Sequence, residues 1–398
     1  MKIALITNMT PAADNVRGTS ALPFHLLVHR PKDVEVDVYS LDYNLLSPEM
    51  IKETEERLNV KVIILPRPKL IDWFLKYKVG LLCRLFMRYP IHNYARLTES
   101  QVAEIKSKGY GGIWIYGEEM SRVSKQFSSY NRCHLLPDCT SMFFYRMMGR
   151  RFVVSSFSKL LKNFLFYRKF VRMEYEFDTA DNIKYLLVGE EDTNFLRNIS
   201  PQINASFLRH PHYDVSSYSD ISFESGRKIR LLIAGRNDYY MQLDTELAVQ
   251  ALCENNDLAN NYEITFLGKG WERLVKELLS AGYEVHHIAF APDYKSEICK
   301  HDIQLTSICI GTGTKGKVLD ALANGLLVIG SSYAFENIAV SDGESCLMYD
   351  SPQQIVDILK KIASASHRYI DIAVAGREAV LREHSRAKIS EQFFDLFR

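Results

Sequence analysis

Short apolar runs alternate with longer stretches of helical period along nearly the whole chain, and this alternation restricts its fold more than any other feature. Apolar runs of roughly four to eight residues between turn signals make buried strands, and the intervening helices cover a parallel sheet on both faces. In the first half the pattern predicts strands at Ile3–Thr7, Val34–Tyr39, Val60–Leu65, Gly112–Tyr116, His134–Leu136, Phe152–Val154 and Tyr185–Val188. Helices between them include Thr19–Val28, Pro48–Arg57, Asp72–Arg88, Glu99–Lys108 and Asn163–Tyr175. A second series places strands at Arg230–Ala234, Glu263–Leu267, Glu284–His287, Ile303–Ile308 and Leu326–Gly330, again with helices between. Residues 211–228 separate the series; they are rich in Ser and Asp, lack any period and read as a linker. The 398 residues are therefore expected to form two α/β domains with parallel, Rossmann-like sheets, residues 1–210 and 229–369. Residues 370–398 are helical in pattern and lie beyond the last strand, free to pack elsewhere.

Charge is segregated along this chain. The total is 49 Lys and Arg against 48 Asp and Glu, yet residues 60–172 alone hold 21 basic and 6 acidic side chains, leaving the remainder acidic by 14 charges. Seven cysteines form no CxxC pair and are odd in number, which suggests neither a disulfide framework nor a zinc site. The first residues give only four consecutive apolar positions where a secretory leader needs about seven to fifteen, and no uncharged 18-residue stretch is present. A cytoplasmic location is expected.

The most informative stretch is DIQLTSICIGTGTKGKVLDALANGLLVIGSS, residues 302–332. A strand ends in Gly311-Thr312-Gly313-Thr314-Lys315-Gly316, and a helix starts at once. Unpaired amides at a helix N-terminus, with the positive end of the helix dipole, suit a phosphate or diphosphate, and Lys315 and Lys317 add full charge. A tight turn that uses glycine for positive φ is the plain alternative. The loop also fits G-x-G-x-x-G, but a dinucleotide fingerprint belongs in an early βα unit with an acidic residue ending the next strand, and here that strand ends in Ser331-Ser332. No Ser or Thr follows Gly316-Lys317, so a P-loop is excluded.

GTGTKGKVLDALANG, the strand LLVIGSS and then AFENIAVSDGESCLMY resemble the donor-binding core of the group 1 glycosyltransferases, glycosyltransferase family 4 of the GT-B fold. That family reads G-x-G-x-K-x-K-V-L-E-A-x-A-x-G-x-P-V-V, then a small-residue loop, a Glu and a D-G stretch. The resemblance implies two Rossmann-like domains facing across a cleft, with the C-terminal helix crossing back to the N-terminal domain. It implies that the amides of Gly313, Thr314, Lys315 and Gly316 hold a diphosphate, that Asp320 meets the ribose hydroxyls, and that Thr312 and Glu336 lie on the donor side. Thr312 stands where the family has its first acidic residue, and Asp320 is one methylene shorter than the second. RLLIAGR, residues 230–236, matches the strand whose following Arg neutralises the departing diphosphate, which assigns Arg236 that role. The family's Lys five residues later is Met241 here, and Lys315 or Lys317 is available to supply the missing cation.

In the first half, ITNMTPAADNVRGTSALPF resembles the family's opening strand, loop and helix, with Gly18 at the glycine turn and Thr19 as a candidate N-cap. NRCHLLPDCTSMFFYRM resembles the stretch leading to an Asp-x-x-Ser segment facing the cleft, which places His134 and Asp138 near the reacting sugar. A histidine on such a strand is otherwise a core residue. The acidic turn Glu190-Glu191 reads as a helix start.

Two basic, aromatic stretches remain, residues 69–88 and 146–172, the second with eight basic side chains and no acidic one. They suit the headgroup layer of an anionic membrane or an anionic acceptor, each surface Lys or Arg contributing about 1 kcal/mol; core helices with snorkelling lysines are the alternative. No helix-turn-helix, finger or RNP-like pattern supports nucleic acid. The expectation is a glycosyltransferase that moves a sugar from a nucleotide diphosphate to a glycan or lipid-linked acceptor, retaining, with neither metal nor cofactor, in envelope polysaccharide or glycolipid assembly. It would be cytoplasmic, at the inner face of the membrane. A non-catalytic nucleotide-sugar or glycan-binding protein on the same fold is the rival that Thr312 and Met241 motivate, and a nicotinamide-dependent oxidoreductase is the weaker one.

Overall fold

The computed structural model describes the chain apart from residues 17–18, 78–82, 216–218, 220, 222, 224–225 and 366, with the backbone alone at 70, 75, 151 and 152. The chain divides into two units, Met1–Pro211 together with Arg386–Arg398, and His212–Ser385.

The first unit is built on seven parallel strands: β1 (Lys2–Thr7), β2 (Glu35–Ser40), β3 (Lys61–Ile64), β4 (Gly112–Tyr116), β5 (Arg132–Leu136), β6 (Ile183–Leu187) and β7 (Ala205–Phe207). Their order is β3-β2-β1-β4-β5-β6-β7. Every residue of β4 and β5 is buried, because helices cover both faces of the sheet. Local signals set the helix starts: Ser47 caps Pro48–Leu58 with Pro in the first turn, and Thr98 and Gln101 close a capping box on Glu99–Ser107.

The second unit holds six parallel strands: β8 (Ile229–Ala234), β9 (Tyr262–Leu267), β10 (Glu284–Ile288), β11 (Ile303–Thr306), β12 (Leu327–Gly330) and β13 (Leu347–Met348). Their order is β10-β9-β8-β11-β12-β13. Each sheet reverses its winding direction once, at β1/β4 in the first unit and β8/β11 in the second. Open parallel sheets bind ligands beyond the carboxyl ends of the strands at such a point.

Four expectations need revision. Phe152–Val154 is helical, part of Arg151–Val154; β5 and β6, which flank it in the chain, pair directly with each other, so no strand lies between them. The short strands β7 and β13 were not anticipated. Residues 211–228 are not a separate linker: where described from His212 onward, they belong to the second unit. Residues 370–398 are not one returning helix. His367–Glu383 stays in the second unit, where Gly376 lies so close to the Ser345 carbonyl that a Cβ would collide with it.

Only Arg386–Phe394 and the turn after it join the first unit, where the helix packs on Ala21–Val28. Phe393 and Phe394 are fully buried against Trp114 of β4, and Phe397 fills the space a Cβ on Gly112 would need. No helix among the described residues is long and apolar enough to cross a membrane.

Candidate functional site

In the second unit, the two loops that leave the switch point are those that follow β8 and β11. The first carries Gly235-Arg236 and the second the glycine loop at 311–316. Gly235 has φ 148° and Gly268, after β9, has φ 137°; a Cβ on Gly268 would collide with the Gly235 carbonyl. That carbonyl also accepts a hydrogen bond from Trp271 Nε1 at 2.9 Å. The β8 turn is therefore held rigidly by backbone approach, and Arg236 projects from it, exposed and with no hydrogen-bond or ion-pair partner among the described residues.

The glycine loop opens into the helix Gly316–Ala323, which has no side-chain N-cap. The amides of Gly316 and Lys317 have no hydrogen-bond partner among the described residues, so this end of the helix can accept an anion. The two lysines flanking Gly316 point in different directions. Lys315 is only 9% exposed, and its ammonium is turned back into the loop. It donates to Gly313 O at 3.0 Å and Thr312 O at 3.4 Å, and pairs with Glu336 Oε2 at 3.1 Å. Its stem crosses Gly311, where a Cβ would stand 3.1 Å away. Asn337 Nδ2 donates to the same Gly313 carbonyl at 2.9 Å, and Gly313 itself takes φ 59°. Lys315 and Glu336 thus brace the loop from within.

Lys317 points the other way, towards β8. A Cβ built on Gly235 would stand 3.6 Å from its ammonium nitrogen and 2.5 Å from the sulfur of Met241. The Lys317 ammonium therefore lies beside the turn that carries Arg236, near the side chain of Met241. Desolvation holds the Lys317 ammonium below its ordinary value, and Asp238 and Asp320 pull it back up. Thr312 and Thr314 lie half-buried in the loop. Asp320 sits a turn into the helix, and its carboxylate accepts a hydrogen bond from His212 Nε2 at 3.2 Å.

The first-unit candidates are placed differently. Gly18 lies outside the described residues. Asp138 is half-buried in the loop after β5. His134 is fully buried on β5, where Nε2 donates to Gly117 O at 2.8 Å and the ring lies against Tyr185 and Phe177. Desolvation pulls its pKa down to about 4, so it is a neutral core histidine and not a group that meets substrate.

The sequence reading passed over Glu118 and Glu174. Thr140 N–H donates to Glu118 Oε1 at 3.2 Å, Ser141 N–H to Glu174 Oε1 at 3.1 Å, and Cys139 N–H to Asp192 Oδ1 at 2.9 Å. Three carboxylates from distant segments therefore cap the helix Thr140–Met148. Burial, then the charge of Glu174, raises Glu118 well above the usual carboxylate range. No local motif could have shown this, because the partners meet only through the fold.

Among the described residues one group has the donor set for a cation: Glu263, Glu284 and His286. It lies at the amino ends of β9 and β10, the opposite end of the sheet from the glycine loop, and Glu284 is already paired with Lys228.

Residues 242–395 match a family model described as glycosyl transferase-like. No curated protein matches the sequence. Solved structures match over the whole length: HepE of Anabaena in complex with UDP is 12% identical, with a TM-score of 0.65 over 99% of each chain. Sucrose-phosphate synthase of Thermosynechococcus elongatus is 14% identical, with a TM-score of 0.63 over 100% of this chain and 98% of its own. TarM, solved from S. aureus with α-GlcNAc-glycerol and UDP, is 9% identical, with a TM-score of 0.62 over 100% and 99%. At these identities the likeness is one of fold. Residues 242–395 thus carry a glycosyl transferase-like domain, and the whole chain has the two-sheet GT-B architecture of these structures.

Proposed function

We propose that this protein transfers a sugar from a nucleoside diphosphate sugar to a glycan or lipid-linked acceptor, with retention at the anomeric carbon and without a metal. One observation carries the reading: at the β8/β11 switch point, the ammonium of Lys317, in the first turn of the uncapped helix that starts at Gly316, lies beside the turn that bears Arg236. When the bond from the anomeric carbon to the diphosphate breaks, the electron pair stays on the leaving phosphate. Arg236, Lys317 and the amides of Gly316 and Lys317 offset that charge, and donors fixed in advance act most strongly where charge develops. Asp320 binds the ribose, and Thr312 faces the donor sugar. HepE was solved with UDP-glucose, which supports a uridine nucleotide as the first donor to try.

The acceptor side belongs to the first unit, with Asp138 the candidate group there. A setting in envelope polysaccharide or glycolipid assembly, at the cytoplasmic face of a membrane, is supported by the helix Phe157–Tyr175. Phe157, Leu161 and Phe164 form an exposed stripe at helical spacing, Phe157 being 79% exposed, with Lys159, Lys162 and Arg168 exposed beside it. Phe86 is 80% exposed, and Trp73 and Tyr77 are also open. Apolar rings standing in water among cations suit an anionic bilayer surface better than the core role that snorkelling lysines would imply.

The test is a thermal-shift screen of UDP, GDP and NAD(P), followed by transfer from the matching nucleotide sugars with the product anomer read by NMR. Protection by a nucleoside diphosphate and an axial-to-axial or equatorial-to-equatorial product is the expected result. Protection by NAD(P) alone, or tight nucleotide binding without turnover on any acceptor, would overturn it.

A further inference from the structure

Asp320 does not stand alone on its helix. Val318, Leu319, Ala321, Leu322 and Ala323 bury the other faces of Gly316–Ala323, which leaves Asp320 on the remaining side with Gly316 and Lys317. Its carboxylate meets the first two residues of the second unit. His212 Nε2 donates to Oδ1 at 3.2 Å, and Tyr213 stands beside the same carboxylate, near enough that its charge raises the phenol. Asn324 Nδ2 donates to the Tyr213 oxygen at 2.9 Å, which leaves the phenolic proton available to donate. Burial, then the charge of Asp320, pushes the Tyr213 phenol up, and the hydroxyl therefore keeps that proton at neutral pH.

These two donors are themselves anchored. The His212 amide donates to His384 O at 2.8 Å, and His212 pairs with Ser385 in a β-bridge. The imidazole is buried, with Nδ1 3.1 Å from Tyr213 O and the ring 3.8 Å from that of Tyr213. The Lys295 ammonium lies 3.4 Å from the Tyr213 ring centroid. None of these contacts is formed by the glycine-loop segment itself.

We propose that His212 and Tyr213 are positioning residues that hold the Asp320 carboxylate in one rotamer for the vicinal hydroxyls of a ribose. This rests on the nucleotide-sugar reading above and deepens it. A carboxylate offers about four lone-pair sites. Two face His212 and Tyr213, and the others remain for a diol, with the side chain 21% exposed. A short side chain locked by two donors loses little freedom on binding, so the shorter Asp is made effective by preorganisation. The sequence suggested only a linker at this point, yet two of its residues, His212 and Tyr213, complete the binding site.

The experiment is calorimetry of the full chain with UDP and with 2′-deoxy-UDP, repeated with the guanosine pair if GDP is the better ligand. The wild type is expected to prefer the ribonucleotide by about tenfold, the worth of roughly one good hydrogen bond. His212→Ala and Tyr213→Phe should each weaken UDP by about that factor while leaving 2′-deoxy-UDP nearly unchanged, so the preference collapses. His212→Gln, whose amide can still donate, should restore part of it. An unchanged ribose preference in soluble, folded His212→Ala and Tyr213→Phe overturns the inference while nucleotide binding stands. Equal weakening of both ligands assigns the two residues a structural role and overturns it too. A wild type that binds neither UDP nor GDP removes the nucleotide-sugar reading, and this inference with it.

Discussion

Lys317→Ala should separate turnover from binding. The ammonium lies beside the Gly235-Arg236 turn, where the departing diphosphate would gather charge. Two unit charges about 4 Å apart interact by about 4 kcal/mol at an effective permittivity near 20. The open flank of Lys317 lets solvent screen part of that, and Arg236 and the helix amides remain, so the net loss should be nearer ~2.5 kcal/mol. At about 1.36 kcal/mol per decade this is roughly a hundredfold in kcat, with a much smaller change in UDP affinity because the ground-state diphosphate is less demanding. Lys315→Ala should behave differently. It removes the partner of Glu336 and the donor to two loop carbonyls. Losing one member of a buried pair costs about 3–5 kcal/mol, so stability and nucleotide affinity should fall together with the rate. Initial rates with the working donor, calorimetry with UDP and thermal unfolding of both variants make the comparison. A Lys317→Ala protein with wild-type kcat, beside a fully stable Lys315→Ala protein that has lost only turnover, would refute the division of roles.

Asp320→Ala should weaken nucleoside diphosphate binding at least tenfold, and unchanged affinity by calorimetry would remove it from the ribose site. Glu118 carries a pH signature: its carboxyl lies above its ordinary 4.5 in the folded chain, through burial and then Glu174, so the unfolded chain releases that proton first. Its contribution to stability is complete below about pH 4.5 and is lost as pH rises through the raised value, by up to about 1.36 kcal/mol per pH unit. Glu118→Gln should therefore flatten the fall in urea midpoint above pH 5, and a curve parallel to the wild type would contradict the raised Glu118 carboxyl. Phe393→Ala should cost about 3–5 kcal/mol in the first unit, read from the fluorescence of buried Trp114 during unfolding; a loss below 1 kcal/mol would mean the terminal segment is dispensable. Flotation with anionic vesicles should show salt-sensitive binding that Phe157→Ser/Phe164→Ser weakens, and no binding at low salt would remove the membrane role.

Much of the scaffold was legible because its cause is local. The apolar runs at Gly112–Tyr116 and Glu263–Leu267 need only their own residues to become strands, and a Gly-rich loop before a helical period marks a phosphate-type site wherever it lies. The exposure of His134 was not legible. In a sheet covered on both faces, alternate residues of a strand are equally buried, so the period of two that distinguishes inside from outside in a one-sided sheet carries no information. Phe152–Val154 was misread for a related reason: three apolar residues fit a strand or one helical turn equally well, and only the direct pairing of β5 with β6 decides.

The sequence by itself determined two parallel α/β units, the place of the glycine loop and the presence of Arg236 and two lysines near it. Tertiary structure decided where each lysine points. Lys315, at the N-cap with extended backbone, folds back to Glu336, while Lys317, two residues on and inside the helix, reaches the β8 turn. It also brought His212 and Tyr213 to Asp320 and Glu174 to Glu118, pairs far apart in the chain. Periodicity reports which way a residue faces relative to its neighbours. Which distant side chain it then meets depends on how whole strands and helices are stacked, and that information is not local.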